Sequence, residues 1–201
     1  MKKGKCLRLI NVVKFEFLWK EDAIVIGDKK RGLFIGRFQP FHIGHLHAIK
    51  TLLGEVDELI VGVGSAQYSH TPKDPFSAGE RILMIRISLE DERVPASRYL
   101  IIPIPDVNDN RLWVAHVVSL IPPFRVVYSN NSLVKVLFEE AGYEVKPVPF
   151  YHRDMYCATR IREKMAKGEE WRNLVPPAVV KVIEKIRGVE RVRMIAEGER
   201  H

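Results

Sequence analysis

Short apolar segments alternate with segments of helical periodicity over most of this 201-residue chain. The apolar segments, which have the composition of β-strands, lie at residues 32–36, 58–63, 99–104, 125–129 and 143–147. The helical segments lie at residues 45–53, 77–91, 112–120, 133–141, 160–167 and 177–187. A Ser-x-x-Glu sequence at residues 77–80 predicts a capping box at the start of the second helix. Strands that alternate with helices predict a doubly wound, Rossmann-like α/β fold, in which a parallel sheet carries helices on both faces.

The first predicted strand runs into a segment rich in glycine and histidine. Residues 36–45 read Gly-Arg-Phe-Gln-Pro-Phe-His-Ile-Gly-His. Ligands bind doubly wound sheets outside the carboxyl ends of the strands, so this segment lies where a binding site is expected. Gly36 allows the backbone to pass close to a ligand. His42 and His45 are three residues apart at the start of a helix, so their rings can point to one side.

These residue types suit a phosphate group. A helix N-terminus offers unpaired N–H groups and partial positive charge, and Arg37 adds a planar, permanently charged fork. Such a cluster can stabilise charge that moves between phosphate oxygens during group transfer. Two other interpretations exist. A histidine at a helix start is often a cap or a core residue, and a zinc site built from His42, His45 and His47 would need a fourth ligand that the segment lacks.

Composition narrows the class of protein. No apolar run approaches the roughly 20 residues that span a membrane, and the N-terminus lacks a signal-peptide core. Two cysteines, Cys6 and Cys157, predict no disulfide framework, which favours a reducing, cytoplasmic location. Of the formal charge of +7, residues 1–31 carry +5 and the other 170 residues carry +2. The folded body is therefore expected to bind a small anion rather than nucleic acid.

Two segments resemble a known family. Residues 36–45 are similar to the H-x-G-H signature of the nucleotidyltransferase superfamily, and the whole run resembles nicotinamide mononucleotide adenylyltransferases, the archaeal type in particular. A second family sequence, Ser-x-Thr-x-x-Arg, resembles Cys-Ala-Thr-Arg-Ile-Arg at residues 157–162, with cysteine in place of the serine. The resemblance covers residues 31–190 and implies the nucleotidyltransferase type of the doubly wound fold.

The resemblance also implies roles for individual residues. The residues expected to bind ATP are Gly36, Arg37, Phe38, His42, Gly44, His45, Lys73, Thr159 and Arg162. Of these, His42, His45, Arg37 and Arg162 are expected to take part in catalysis. Thr159 is also expected to cap the helix that follows it, and Arg81 is a further candidate phosphate contact.

The acceptor is expected to bind after the third strand. The residues expected to contact nicotinamide mononucleotide are Asp106, Val107, Asn110 and Trp113. By resemblance, Trp113 stacks on the nicotinamide ring, while Asn110 and the backbone at Val107 meet the carboxamide. Without the resemblance, a core tryptophan at the start of a helix explains Trp113 equally well.

The implied activity is transfer of the adenylyl group of ATP to nicotinamide mononucleotide, which forms NAD and pyrophosphate. Mg²⁺ is expected to accompany ATP, without protein ligands, and the resemblance implies a homo-oligomer, a hexamer. The alternatives within the fold are nicotinate mononucleotide, phosphopantetheine or a flavin precursor as acceptor. A class I aminoacyl-tRNA synthetase also uses H-x-G-H, and the Lys-Met-Ala-Lys sequence at residues 164–167 faintly resembles its second signature. Such an enzyme would need amino-acid and tRNA-binding modules for which the chain has no room. A non-enzymatic nucleic-acid binder would use the basic N-terminus.

Three regions are expected along the chain. Residues 1–30 form an extension outside the resemblance, in which alternating apolar residues at 13–19 predict an added edge strand unless the start codon is misassigned. Residues 31–190 form the nucleotidyltransferase domain. Residues 191–201 are expected to be a C-terminal tail.

Overall fold

A computed structural model describes residues 29–149, 151–152 and 154–198. Five strands form one sheet in the order β3-β2-β1-β4-β5, and every neighbouring pair is parallel. The strands are β1 (Arg31–Gly36), β2 (Glu58–Val63), β3 (Tyr99–Pro103), β4 (Val126–Tyr128) and β5 (Glu144–Lys146). The predicted doubly wound sheet is confirmed. The edge strand expected at residues 13–19 lies outside the described residues.

Seven α-helices accompany this sheet within the described ranges. They are α1 (Ile43–Leu52), α2 (Ala78–Asp91), α3 (Asn110–Leu120), α4 (Ser132–Glu140), α5 (Ala158–Lys167), α6 (Pro177–Lys185) and α7 (Gly188–Gly198). The predicted capping box of α2 is present, because Ser77 accepts from the backbone N–H of Glu80 and the Glu80 side chain accepts from that of Ser77. Helices α3 and α5 each begin two residues before the predicted starts.

The prediction of a tail from residue 191 is wrong as far as residue 198, because this stretch continues α7. Val192 is buried, and the Arg191 guanidinium makes a bidentate ion pair with Glu80 at 2.7 and 2.9 Å. The same guanidinium donates to the carbonyl of Pro75 at 3.1 Å. Helix α7 therefore clamps the loop that leads into α2.

Two cores lie on opposite faces of the sheet. Successive strand residues point to opposite faces, so the neighbours Leu33 and Phe34 of β1 enter different cores. Phe34 packs in the core built with α1, α2, α5, α6 and α7, and Leu33 packs with Val117 of α3 and Phe138 of α4. Among the helices that the structure describes, none is both long and apolar enough to cross a membrane.

The chain winding reverses between β1 and β4, which are adjacent in the sheet. The two strands diverge to different connections there, which leaves a crevice at their carboxyl ends. The loops at this edge are residues 37–42, 64–77, 104–109, 129–131 and the described part of 147–157, which is 147–149, 151–152 and 154–157. The glycine- and histidine-rich segment at residues 36–45, the segment at residues 157–162 and the expected acceptor segment at residues 106–113 all begin in or next to these loops.

Candidate active site

Two histidines build the start of α1. His42 is the N-cap residue, and its Nδ1 accepts from the backbone N–H of His45 at 3.3 Å. The Nδ1 of His45 accepts in return from the backbone N–H of His42 at 3.4 Å. The pair is thus a reciprocal capping box in which imidazoles replace the usual hydroxyl and carboxylate. The two rings stack with their centroids 3.5 Å apart at 19°, which confirms that they lie on one side.

This cap fixes the protonation of both rings. Because each Nδ1 accepts a backbone hydrogen bond, the ring proton is assigned to Nε2, which becomes a donor. Burial lowers the pKa of His42 from 6.5 to about 3. Burial, and then the nearby His42, hold the pKa of His45 well below 6.5. Near neutral pH the site therefore presents two neutral Nε2–H donors.

Two glycines allow this packing. A Cβ at Gly44 would lie 3.0 Å from the Cβ of Tyr156 and 3.2 Å from the Cε1 and Nδ1 of His42, so a side chain would displace the ring. A Cβ at Gly36 would lie 2.8 Å from the ring of Phe38. The Phe38 ring, expected among the ATP contacts, is only 1% exposed and instead supports His45 from 4.8 Å at 75°.

Two arginines organise the backbone around the histidines. Arg81 is fully buried, and its Nη1 donates to the carbonyls of Arg37 and Gly64, both at 2.8 Å. Its guanidinium thus serves the backbone of these loops in the structure, and its suggested phosphate contact stays a prediction. Arg162 donates to the carbonyls of Gln39 at 2.7 Å and Pro72 at 3.0 Å. The predicted catalytic arginine of α5 thus also holds the loop that precedes α1.

Sequence reasoning missed Gln39. Its buried side chain donates to the carbonyl of Phe76 at 2.8 Å and accepts from the N–H of Phe76 at 2.9 Å. This pair of bonds joins the loop after β1 to the loop after β2. The sequence signal that could have identified Gln39 is that it carries an amide side chain among the aromatic, glycine and proline residues of the segment.

The expected cap of α5 by Thr159 is wrong. Cys157 is the N-cap residue and makes no side-chain capping bond, while Thr159 lies exposed in the first turn. A cysteine is a poor acceptor compared with serine, so the first N–H groups of α5 have no side-chain cap. The Thr159 hydroxyl instead accepts from Arg162 at 3.4 Å.

Several of the expected phosphate contacts come together at this edge. Lys73, Thr159 and Arg162 line one cavity of about 280 Å³. Arg37 has a half-exposed side chain, and its Nη1 lies 3.8 Å from the Oδ2 of Asp74. The exposed His47 stacks on Tyr151 at 4.1 Å, as expected for a ring that faces away from the pair. The described residues hold no group of three candidate metal ligands, so they offer no support for the zinc alternative.

A second cavity contains most of the expected acceptor contacts. Asp106, Asn110 and Trp113 are among the residues that line this space of about 240 Å³, whereas Val107 is not. The indole packs edge-on against the core residue Phe138, with 5.5 Å between ring centroids. The Trp113 side chain is therefore anchored in the core on one side and open to the cavity on the other.

The wall of this cavity is tied to the loop after β2. The Ser65 hydroxyl donates to the Asp106 carboxylate at 2.7 Å. The Gln67 side chain makes two bonds of 2.9 Å with the backbone of Asp106. Asp109 caps α3 by accepting from the N–H of Arg111 at 3.0 Å. The loops after β2 and β3 thus form one connected wall.

Comparison with known proteins agrees with this geometry. Residues 33–164 match the family model described as cytidylyltransferase-like. A protein of Methanothrix thermoacetophila named nicotinamide-nucleotide adenylyltransferase is 55% identical over 168 residues, which are 84% of this chain and 97% of that protein. A protein of Thermococcus kodakarensis with the same name is 50% identical, over 83% of this chain and 89% of that protein. This chain belongs to the nicotinamide-nucleotide adenylyltransferase family.

Solved structures support the fold of this nicotinamide-nucleotide adenylyltransferase family member. A bifunctional NMN adenylyltransferase/ADP-ribose pyrophosphatase from Francisella tularensis, complexed with AMP and a manganese ion, superposes with a TM-score of 0.68 at 24% identity. The match covers 85% of this chain but only 53% of that one, so this chain spans about half of the bifunctional protein. The predicted family and the nucleotidyltransferase type of fold are both confirmed.

Proposed function

We propose that this chain transfers the adenylyl group of ATP to nicotinamide mononucleotide, which forms NAD and releases pyrophosphate. The observation that carries the proposal is the reciprocal histidine cap at the carboxyl end of β1. It places two neutral imidazoles, each with its Nε2–H free of the cap, and a helix N-terminus beside the switch point of the sheet. Family membership supplies the identity of the two substrates.

The reaction requires no protein nucleophile. An oxygen of the mononucleotide phosphate attacks the α-phosphorus of ATP, and the bond from this phosphorus to the bridging oxygen breaks. The electron pair of that bond leaves with pyrophosphate. Since the attacking phosphate is already ionised near neutral pH, it needs no general base. Catalysis then consists of positioning and of stabilising charge on the phosphate oxygens.

The described residues suit these two tasks. His42 and His45 donate to phosphate oxygens without carrying charge, so their geometry rather than their protonation determines their effect. Arg37 and Lys73 have exposed side chains that can reach the departing phosphates. Thr159 and Arg162 add donors from the first and second turns of α5, close to N–H groups that lack a side-chain cap.

Mg²⁺ is proposed to enter with ATP. The described residues contain no group of three carboxylate, histidine or cysteine ligands, so phosphate oxygens and water would supply most of its coordination. When bound there, the ion offsets the negative charge that accumulates on pyrophosphate.

The cavity beside α3 is proposed to hold the acceptor. The open face of Trp113 suits a flat cationic ring, which a nicotinamide carries. Asn110 and Asp106 provide polar groups for the carboxamide, and Val107 would contribute through its backbone. Nicotinate mononucleotide is the second candidate acceptor, because it differs only by a carboxylate at this position.

The direct experiment measures NAD formation from ATP, Mg²⁺ and nicotinamide mononucleotide, with nicotinate mononucleotide as a competitor. The absence of NAD would contradict the proposal, and preferential use of nicotinate mononucleotide would replace the acceptor. From the family resemblance we further propose a cytoplasmic homo-oligomer, a hexamer, that binds neither nucleic acid nor membranes. Sedimentation equilibrium tests the hexamer.

A further inference from the structure

Asp74 is a buried acid at the edge of the sheet that holds the histidine pair. Its residue is only 6% exposed, and its Oδ1 has no hydrogen-bond partner. A buried carboxylate oxygen without a partner is costly, so it is expected to have a partner at some stage of the protein's working cycle. The position of the carboxylate indicates which partner that is.

The backbone holds Asp74 rigidly. Its N–H donates to the carbonyl of Thr71 at 3.1 Å and to the Thr71 hydroxyl at 3.0 Å. Its own carbonyl accepts from the N–H of Thr71 at 3.3 Å. The turn formed by residues 71–74 therefore fixes the backbone from which the carboxylate projects.

Three guanidinium groups surround this carboxylate. Burial lowers the pKa of Arg81 and of Arg162, and the charge of Asp74 opposes the lowering at both. These two arginines already donate to the backbone carbonyls of the neighbouring loops. Arg37 is different, because its side chain is 55% exposed and its Nη1 stops 3.8 Å from the Asp74 Oδ2. A small rotation of Arg37 would bring its planar fork into hydrogen-bond contact with both carboxylate oxygens, the nearby Oδ2 and the Oδ1 that has no partner.

We propose that Asp74 is a positioning residue, which holds the guanidinium of Arg37 at the phosphate site so that Arg37 meets ATP in the orientation that catalysis needs. A flexible exposed arginine loses side-chain freedom when it binds a phosphate, and a fixed counter-ion reduces that loss beforehand. Asp74 also offsets part of the charge of three clustered arginines while ATP is absent. Its effect on turnover is assigned to Arg37, because backbone carbonyls already hold the guanidinium groups of Arg81 and Arg162.

The proposal rests on the proposed function, and a double-mutant cycle tests it. The variants are Asp74→Asn, which keeps the shape and removes the charge, Arg37→Ala, and the combination of the two. In the wild-type background, Asp74→Asn is expected to lower kcat by about tenfold, within the range of coupling between contacting residues. In the Arg37→Ala background, the same change is expected to alter kcat by less than about twofold.

The Michaelis constant separates positioning from binding. Removal of the negative charge weakens repulsion of ATP but also frees the Arg37 side chain, and these two effects on binding oppose each other. KM for ATP is therefore expected to change by less than kcat. Asp91→Asn is the matched control, because Asp91 is an exposed acid at the end of α2 that lines neither of the two cavities. This control is expected to leave kcat within about twofold of wild type.

Three results would overturn the proposal. An equal loss of kcat from Asp74→Asn with and without Arg37 would show that Asp74 does not act through it. A lower melting temperature together with that equal loss would assign Asp74 a structural role. A raised Mg²⁺ requirement that persists without Arg37 would make Asp74 a ligand of the ion.

A second readout is independent of NAD formation. In ¹⁵N NMR spectra of arginine side chains, the Arg37 guanidinium is expected to show slowed rotation in the wild type and faster rotation in Asp74→Asn. Unchanged rotation would refute the positioning role even if the chain makes NAD. Conversely, a chain that makes no NAD but shows the change would refute the proposed function alone.

Discussion

The histidine cap leads to a prediction that separates the roles of the two ring nitrogens of His45. Nδ1 serves the fold, because it accepts from the N–H of His42, and Nε2 serves the reaction as a donor. Asparagine carries its Oδ1 at the position of Nδ1 and has nothing at the position of Nε2. Glutamine carries its amide N–H near the position of Nε2. His45→Asn should therefore keep the cap and lose the donor, whereas His45→Gln should keep a donor.

The structure sets the magnitude of each loss. A preorganised neutral donor at a developing charge contributes about 10²–10³ in rate, or roughly 2.7–4 kcal/mol of barrier. A lost cap costs about 1 kcal/mol of unfolding free energy. We expect His45→Asn to lower kcat by about 10²–10³ with little change in KM for ATP, because a donor that acts mainly on the transition state appears in turnover. The unfolding free energy should change by less than a whole cap, about 1 kcal/mol.

The assay is steady-state NAD formation, with urea unfolding of each variant alongside. His45→Gln should keep more turnover than His45→Asn. His47→Ala is the matched control, since this exposed ring stacks on Tyr151 and faces away from His45. If His45→Asn and His47→Ala have similarly small effects on kcat, or if His45→Asn mainly destabilises the fold, then the histidine pair is only a cap and the catalytic argument fails.

Three further predictions concern the acceptor, the C-terminus and pH. Trp113→Ala should raise KM for the mononucleotide by an amount that corresponds to about 1–3 kcal/mol of lost stacking, with KM for ATP unchanged; equal effects on both substrates would indicate a core role. Deletion of residues 191–201 should lower both the melting temperature and kcat, because it removes the bidentate partner of Glu80, and unchanged kcat would show that α7 does not position the loop. As pH falls from 6.5 toward about 3, an unfolded His42 gains a proton that the buried ring does not bind, and burial lowers the pKa of His45 in the same direction. The stability that His42 contributes is therefore complete above pH 6.5 and should fall by up to about 1.4 kcal/mol per pH unit below it; a His42→Asn variant with the wild-type slope in urea unfolding would contradict this.

Several features followed from the sequence because they depend on local interactions. The alternation of apolar strands with helices predicted the parallel sheet. The capping box of Ser77 and Glu80 is present as predicted, since its hydrogen bonds span only three residues. The pairing of His42 with His45 was also readable, because a three-residue spacing at a helix start puts two rings on one side. Location at the carboxyl edge of the sheet followed from chain order alone.

Other features were decided only by the tertiary structure. Arg162 reaches the carbonyl of Gln39 across 123 positions, and Gln39 meets Phe76 across 37, so no local pattern contains either contact. The sequence suggested Arg81 as a phosphate contact, but its buried guanidinium donates to backbone carbonyls. The sequence predicted Thr159 as the N-cap of α5, but α5 begins one residue before it. Asp74 gave no sequence signal, because an acid in a proline-containing loop is usually solvated and only packing reveals its unpaired oxygen. Short-range periodicity determines which elements form, whereas the partners of a polar side chain depend on which distant loops the fold brings to the same edge.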